Sequence, residues 1–411
     1  MAVFAALVAA ERGAATIAAP TWAVADVAAA ELGCLRGHRE DEITLIACDA
    51  SCAPIPWQLD ERGPDGRWAL ENGPEPTADE PRGVVDDEDA VLFMAADAGR
   101  RMRPGERPPG ATCMPALRVV GAGFDGWAYA AVVPPPAPRS PIRYVTYDPA
   151  SDVVSGTRIA LGFGAPTPRF MALRDAAGGL GPNLLDRLKV RASARFFGVI
   201  PLGRDEDDIE WVFEAWKVGP IRAIRRERQW VRLGWRLRTP IFQSETLVYR
   251  DAIELPVRLR LNFPPTYFFS AIEVQAVLDF RDLRGWRLVA PGAPASLVGA
   301  GPAWPERRAD WLALEGPEVT VILRLRLGDT LSSLRTDVLW RENEGGEGPE
   351  AVAGERPAVG FRLTEWGEVE AGHHGFAAVA YALPAGTDLQ RFAEQQGAVF
   401  EVTVEPEPGA P

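Results

Sequence analysis

Apolar residues recur at every second position over long stretches of this chain. That spacing marks β-strands with one face buried and the other in solvent. Val257, Leu259, Leu261 and Phe263 alternate with Arg258, Arg260 and Asn262. Ile272, Val274, Ala276, Leu278 and Phe280 alternate with Glu273, Gln275 and Asp279, and Val321, Leu323, Leu325 and Leu327 flank Arg324 and Arg326. The same reading over residues 231–238 sets Val231, Leu233, Trp235 and Leu237 against Arg232, Arg236 and Arg238. Seven Gly-Pro dipeptides separate such segments, each a break because proline lacks a donor for a ladder. Helical signal is sparse. Residues 388–396 predict one short helix, capped by Thr387 or Asp388 and stopped by Gly397, and the alanine-rich start is a second candidate. The expected fold is all-β: a small N-terminal β-sandwich over residues 20–135, then a large antiparallel sandwich over residues 142–405, with few short helices. The proline-rich residues 133–141 are the expected boundary. Residues 343–357 read as a mobile Glu/Gly-rich loop and residues 405–411 as a disordered tail.

Composition narrows the function. With 44 basic and 57 acidic residues the net charge is −13, which argues against nucleic acid and against an anionic membrane surface as the main partner. No apolar run is long enough for a transmembrane segment. The apolar start, residues 1–10, lacks a basic lead and meets Glu11 and Arg12, so a signal peptide, a misplaced start and a first structural element all remain open. Cys34, Cys48, Cys52 and Cys113 allow three pairings, and the spacing does not choose among them. They include no zinc-type pair. One or two disulfides would place the protein outside the cytoplasm, periplasmic or secreted; four free thiols would leave it inside.

Four groupings could carry chemistry. Residues 217–238 hold eight basic side chains against the single acid Glu227. With Trp230, the strand arginines Arg232, Arg236, Arg258 and Arg260 would form a sheet face for an anionic glycan or a partner protein, since guanidinium binds carboxylate and sulfate bidentately. Cross-strand pairing with Glu245, Glu254 and Glu273 is the competing arrangement. No cofactor is required, but Asp60, Asp65, Asp86 and Asp89 are candidate oxygen ligands for Ca²⁺. Lys189, Arg191 and Tyr249 are candidates for proton abstraction beside a uronate carboxylate, which needs a cation and a base. His373 and His374 are adjacent, so a regular strand would point them to opposite faces.

One stretch resembles a known family. Pro54 to Asp60 (PIPWQLD), then Asp65-Gly66, then Asp89 to Met94 with Asp97, is similar to a pattern near the start of bacterial extracytoplasmic β-sandwich proteins. Some of these belong to polysaccharide-lyase-like β-supersandwich families. The segment from Gly219 onward resembles the middle of uncharacterised bacterial secreted β-proteins. The resemblance implies an extracytoplasmic place and a small sandwich followed by a larger one, and assigns no catalytic residue. Two functions follow as expectations: a non-catalytic binding protein for anionic glycan, or a lyase acting on uronate-containing polysaccharide.

Overall fold

The computed structural model describes residues 19–405 except 80, 165–166, 176, 234–237, 240, 300–305, 342–356 and 398–399. The alanine-rich start, most of the loop read at 343–357 and nearly all of the tail therefore lie outside the described residues. Antiparallel strands dominate what is described, with one α-helix and several short helical turns. No helix among the described residues is long and apolar enough to cross a membrane.

The N-terminal unit packs two sheets. One has the order Val24–Ala28, Ala90–Met94, Gln58–Asp60; the other runs Glu401–Glu405, Ala116–Gly121, Phe124–Val132, Ile43–Cys48, Cys52–Pro54. Leu45, Trp57, Val91, Phe93 and Leu117 form the core between them. The run AVLFM at Ala90–Met94 is apolar throughout because both its faces are covered. Val91 and Phe93 face the sandwich core, while Ala90, Leu92 and Met94 meet Ile221 of the large unit. All four cysteines are paired, Cys34 with Cys113 and Cys48 with Cys52. The last described strand, Glu401–Glu405, comes back from the far end of the chain to pair with Ala116–Gly121.

The large unit sets a nine-stranded sheet against a six-stranded one. The nine-stranded order is Ile209–Val218, Ala223–Val231, Phe242–Val248, Ala252–Leu261, Gly372–Pro384, Val319–Leu327, Trp311–Glu315, Arg287–Val289, Ser296–Leu297. The six-stranded order is Ile200–Arg204, Leu185–Phe196, Phe269–Phe280, Ala358–Thr364, Arg335–Arg341, Arg307–Arg308. Ile253, Leu323, Leu325, Val338 and Phe361 fill the space between, and a smaller four-stranded sheet adds Val154, Ile159 and Leu161 to that core.

Two expectations need correction. Of the strand read at 231–238, Val231 ends the strand Ala223–Val231, Arg232 meets Arg238 at an isolated bridge, and residues 234–237 lie outside the described residues. Val231 N–H donates to Thr239 Oγ1 and Val231 O accepts from Thr239 N. Second, the outward face of the nine-stranded sheet is solvated only in part. Ile224, Leu247, Ile322, Val379 and Tyr381 are buried there under Trp68, Leu70 and Phe392. Phe392 belongs to the helix Leu389–Gly397, whose first turn is capped by Asp388 Oδ1 accepting from Arg391 N–H at 3.0 Å.

Candidate functional site

The motif PIPWQLD ends at the junction of the two units. Asp60 is fully buried, and Arg222 Nε donates to its Oδ2 at 2.6 Å. Lys217 Nζ stands 3.6 Å from Oδ1 and donates to Leu59 O at 2.8 Å. Gln58 Nε2 donates to Asp60 Oδ1 at 2.7 Å, while Gln58 Oε1 accepts from Ile221 and Arg222 N–H at 3.1 and 3.0 Å. Burial by itself would raise the Asp60 pKa; Arg222 and then Lys217 overcome it and hold the carboxyl below its usual value. Gly219 passes so close that a Cβ there would sit 2.0 Å from Gln58 Oε1. These contacts lock one unit to the other, and both Asp60 oxygens accept from protein donors, Oδ1 from Gln58 and Oδ2 from Arg222.

From Asp60 the chain runs over the outward face of the nine-stranded sheet. Trp68 lies between two guanidinium groups, Arg62 at 3.4 Å and Arg222 at 4.4 Å from its ring centroid. Arg226 donates to Trp68 O at 3.0 Å and to Glu245 at 2.9 Å. Beside this turn opens a cleft of about 560 Å³ lined by Arg67, Glu75, Thr77, Glu214, Arg228 and Gln243, with Pro76 and Ile241. Arg228 bridges the two walls, 2.6 Å from Glu75 and 2.5 Å from Glu214.

Ladder register carries the face onward. Arg228 pairs with Gln243, Gln243 with Arg258, and Arg260 with His373, so these side chains share one face. Arg258 and Arg260 are exposed, and neither has an ion-pair partner among the described residues. Burial lowers the Arg62 pKa; Asp26 opposes this, and the like charges of Arg222 and Arg258 add to it. Trp230 shares this face by strand alternation, with Arg238 5.4 Å from its ring and Glu210 accepting from its indole N–H. Arg232 is displaced beyond the strand end, 3.2 Å from Asp208. Arg236 lies outside the described residues. The competing cross-strand pairs form as well, Arg226 with Glu245 and Arg326 with Glu254.

The lyase candidates are not brought together. Tyr249 is buried at the junction, where burial raises its pKa and its hydroxyl accepts from Arg222 Nη1 at 3.0 Å. Lys189 and Arg191 lie on the outward face of the six-stranded sheet, on the far side of the sandwich. Lys189 is 2.7 Å from Asp279 there, and Arg191 lines a shallow pocket of about 470 Å³ with Arg204, Glu273 and Arg341. Asp65 sits in an exposed turn and accepts from Arg67 N–H at 3.0 Å, so of the four acids expected to bind Ca²⁺ only Asp86 and Asp89 meet.

Sequence reasoning missed Arg67 and Glu214 as cleft residues; the break at Gly63-Pro64 was visible, but not what it packs on. It also missed an inward cluster. Arg225 donates to Asp152 at 2.9 and 2.7 Å and to Glu227 at 2.7 Å, with Tyr147 and Gln229 completing the network. Two carboxylates share the one Arg225 guanidinium in this network, and burial, with the like charge of Asp152, raises the Glu227 pKa despite that cation.

No protein-family model and no curated protein matches this chain. Among solved structures it is similar to an alpha-mannosidase from Enterococcus faecalis V583, with 8% identity over 88% of this chain and 41% of that one, at a TM-score of 0.46. It is similar also to a glycosyl hydrolase family 38 protein from Enterococcus faecalis, with 9% identity over 94% and 46% and the same TM-score of 0.46. A heparinase III matches at 10% identity over 62% and 38%, with a TM-score of 0.32. This chain thus spans less than half the length of each of the three. Likeness at these scores carries no argument about activity, so function rests on the site.

Proposed function

We propose that this chain is an extracytoplasmic binding protein that holds an anionic glycan along the cleft between its two units. The observation that carries this reading is the pair Arg258 and Arg260, exposed beside the cleft and lacking carboxylate partners among the described residues. Guanidinium groups without a partner suit sulfate or uronate carboxylate, which they bind through two parallel hydrogen bonds. Glu75 and Glu214 can accept from sugar hydroxyls, and Trp230 offers an aromatic ring on the same face. Two disulfides suit an oxidising compartment.

The test is calorimetric titration with sulfated and uronate glycans. Arg258→Ala combined with Arg260→Ala is expected to weaken binding by about tenfold or more, since hydrogen bonds to charged groups contribute about 1.5–3 kcal/mol each. Arg191→Ala, on the opposite outward face, should leave affinity unchanged. Affinity that survives the double substitution overturns the site.

A second reading has one observation in its favour. His373 stands next to Arg260 on the same face and is exposed, which sets a general base beside a cation that could neutralise a uronate carboxylate. Incubation with a panel of polyuronates, followed by ultraviolet absorbance of unsaturated product, decides it. Silence across the panel, or activity unchanged in His373→Ala, counts against a lyase.

A further inference from the structure

The segment just before strand Ala90–Met94 gathers carboxylates without gathering cations. Asp79, Asp86 and Asp89 each place one oxygen within 4.8 Å of the others. Asp79 and Asp89 are 6% and 1% exposed, and Glu61, at 4%, stands near enough to feel the charge of Asp79 and to act on Asp89. None of the four has an ion-pair partner among the described residues. The backbone supplies some compensation: Arg62 and Asp86 N–H each donate to Asp89 at 3.1 Å, and Gly83 N–H donates to Glu61. Asp79 Oδ2 is buried with no hydrogen-bond partner among the described residues.

A buried carboxylate oxygen without a partner is costly, and three acids converging on one point compound that cost. A hard cation removes both problems. Ca²⁺ binds oxygen at about 2.3–2.6 Å, so ligand oxygens on one ion stand at most about 5 Å apart, which matches the spacing observed. The donor set is oxygen only, which disfavours zinc and copper.

We propose that Asp79, Asp86 and Asp89 bind a Ca²⁺ ion, with Asp79 Oδ2 as the ligand that has no other role. The ion ties the segment leading from the cleft wall at Thr77 to the strand Ala90–Met94 that the large unit covers. This site does not depend on the glycan reading, and its test uses no glycan.

Full-length protein stripped with chelator is titrated with CaCl₂ by calorimetry, and its thermal midpoint is followed in chelator and in millimolar Ca²⁺. Saturable binding near one equivalent is expected, with a midpoint raised by about 5 °C, the size of shift that ligand excess over Kd gives. Asp79→Asn should abolish both effects. In chelator the Asp79→Asn protein should be at least as stable as the parent, because a like charge has gone; a purely structural aspartate would lose stability instead. Should that variant fail to fold, the half-exposed Asp86→Asn serves the same purpose and should weaken Ca²⁺ binding at least tenfold. Absence of binding heat together with an unchanged midpoint, or a Ca²⁺ response that persists in either variant, overturns the proposal.

Discussion

Arg222→Met should destabilise the protein by about 3–5 kcal/mol, the cost of leaving a buried carboxylate without its partner. Asp60 is out of solvent, and its other cation, Lys217, is 3.6 Å away and already occupied by Leu59 O. Lys217 therefore cannot take over the short contact at 2.6 Å. Tyr249 would lose a donor in the same step. The double variant Asp60→Asn with Arg222→Met should cost clearly less than the sum of its parts, since the buried carboxylate is removed together with its nearest cation and only Lys217, held by Leu59 O, keeps a buried charge. Urea unfolding of the two single variants and the double variant measures this coupling. A single-variant cost below about 1 kcal/mol would mean that the junction is not held by this pair. The pH dependence has a definite sign. The Asp60 carboxyl is held below its ordinary value, so its contribution is complete above the unfolded carboxylate range near about 4 and is lost as pH falls through the lower folded value.

Removing the two disulfides should have unequal effects. Cys34 and Cys113 are 79 residues apart, whereas Cys48 and Cys52 are separated by 4. Loop-closure entropy alone assigns about 4.5 kcal/mol to the long loop and about 2 kcal/mol to the short one. Cys34 is exposed, so truncating it sacrifices little packing. Guanidinium unfolding of Cys34→Ser/Cys113→Ser against Cys48→Ser/Cys52→Ser should reproduce that order. Equal costs, or the reverse order, would show that the long crosslink does not restrict the unfolded chain as its span requires.

Much of the fold was legible because strand alternation is a local property. Val257, Leu259 and Leu261, the run from Ile272 to Phe280, and Val321 to Leu327 all fall in strands, and Asp388 caps the helix Leu389–Gly397. What alternation could not reveal is what covers each face. Ile224 and Tyr381 share an outward face with Arg258, but only the first two lie under the N-terminal unit and the C-terminal helix. The return of Glu401–Glu405 to Ala116–Gly121 joins residues nearly three hundred positions apart, beyond the reach of any local signal. The cleft has the same character. Arg228 and Glu75 meet across 153 positions of chain, so neither stands out in its own segment. Asp60 looked like a ligand because an aspartate in an acidic region resembles a metal donor; its partners Lys217 and Arg222 lie far along the chain. The acidic run from Asp79 to Asp97 was legible as a source of oxygen ligands; that Asp79 Oδ2 is buried without a hydrogen-bond partner among the described residues is a feature of packing that no sequence shows.

Hydrogen exchange with and without a bound anionic glycan tests the cleft most directly. Protection is expected in residues 62–77 and in strands Phe242–Val248 and Ala252–Leu261, which form its walls and rim. Protection confined instead to strands Leu185–Phe196 and Phe269–Phe280, on the opposite outward face, would contradict the account.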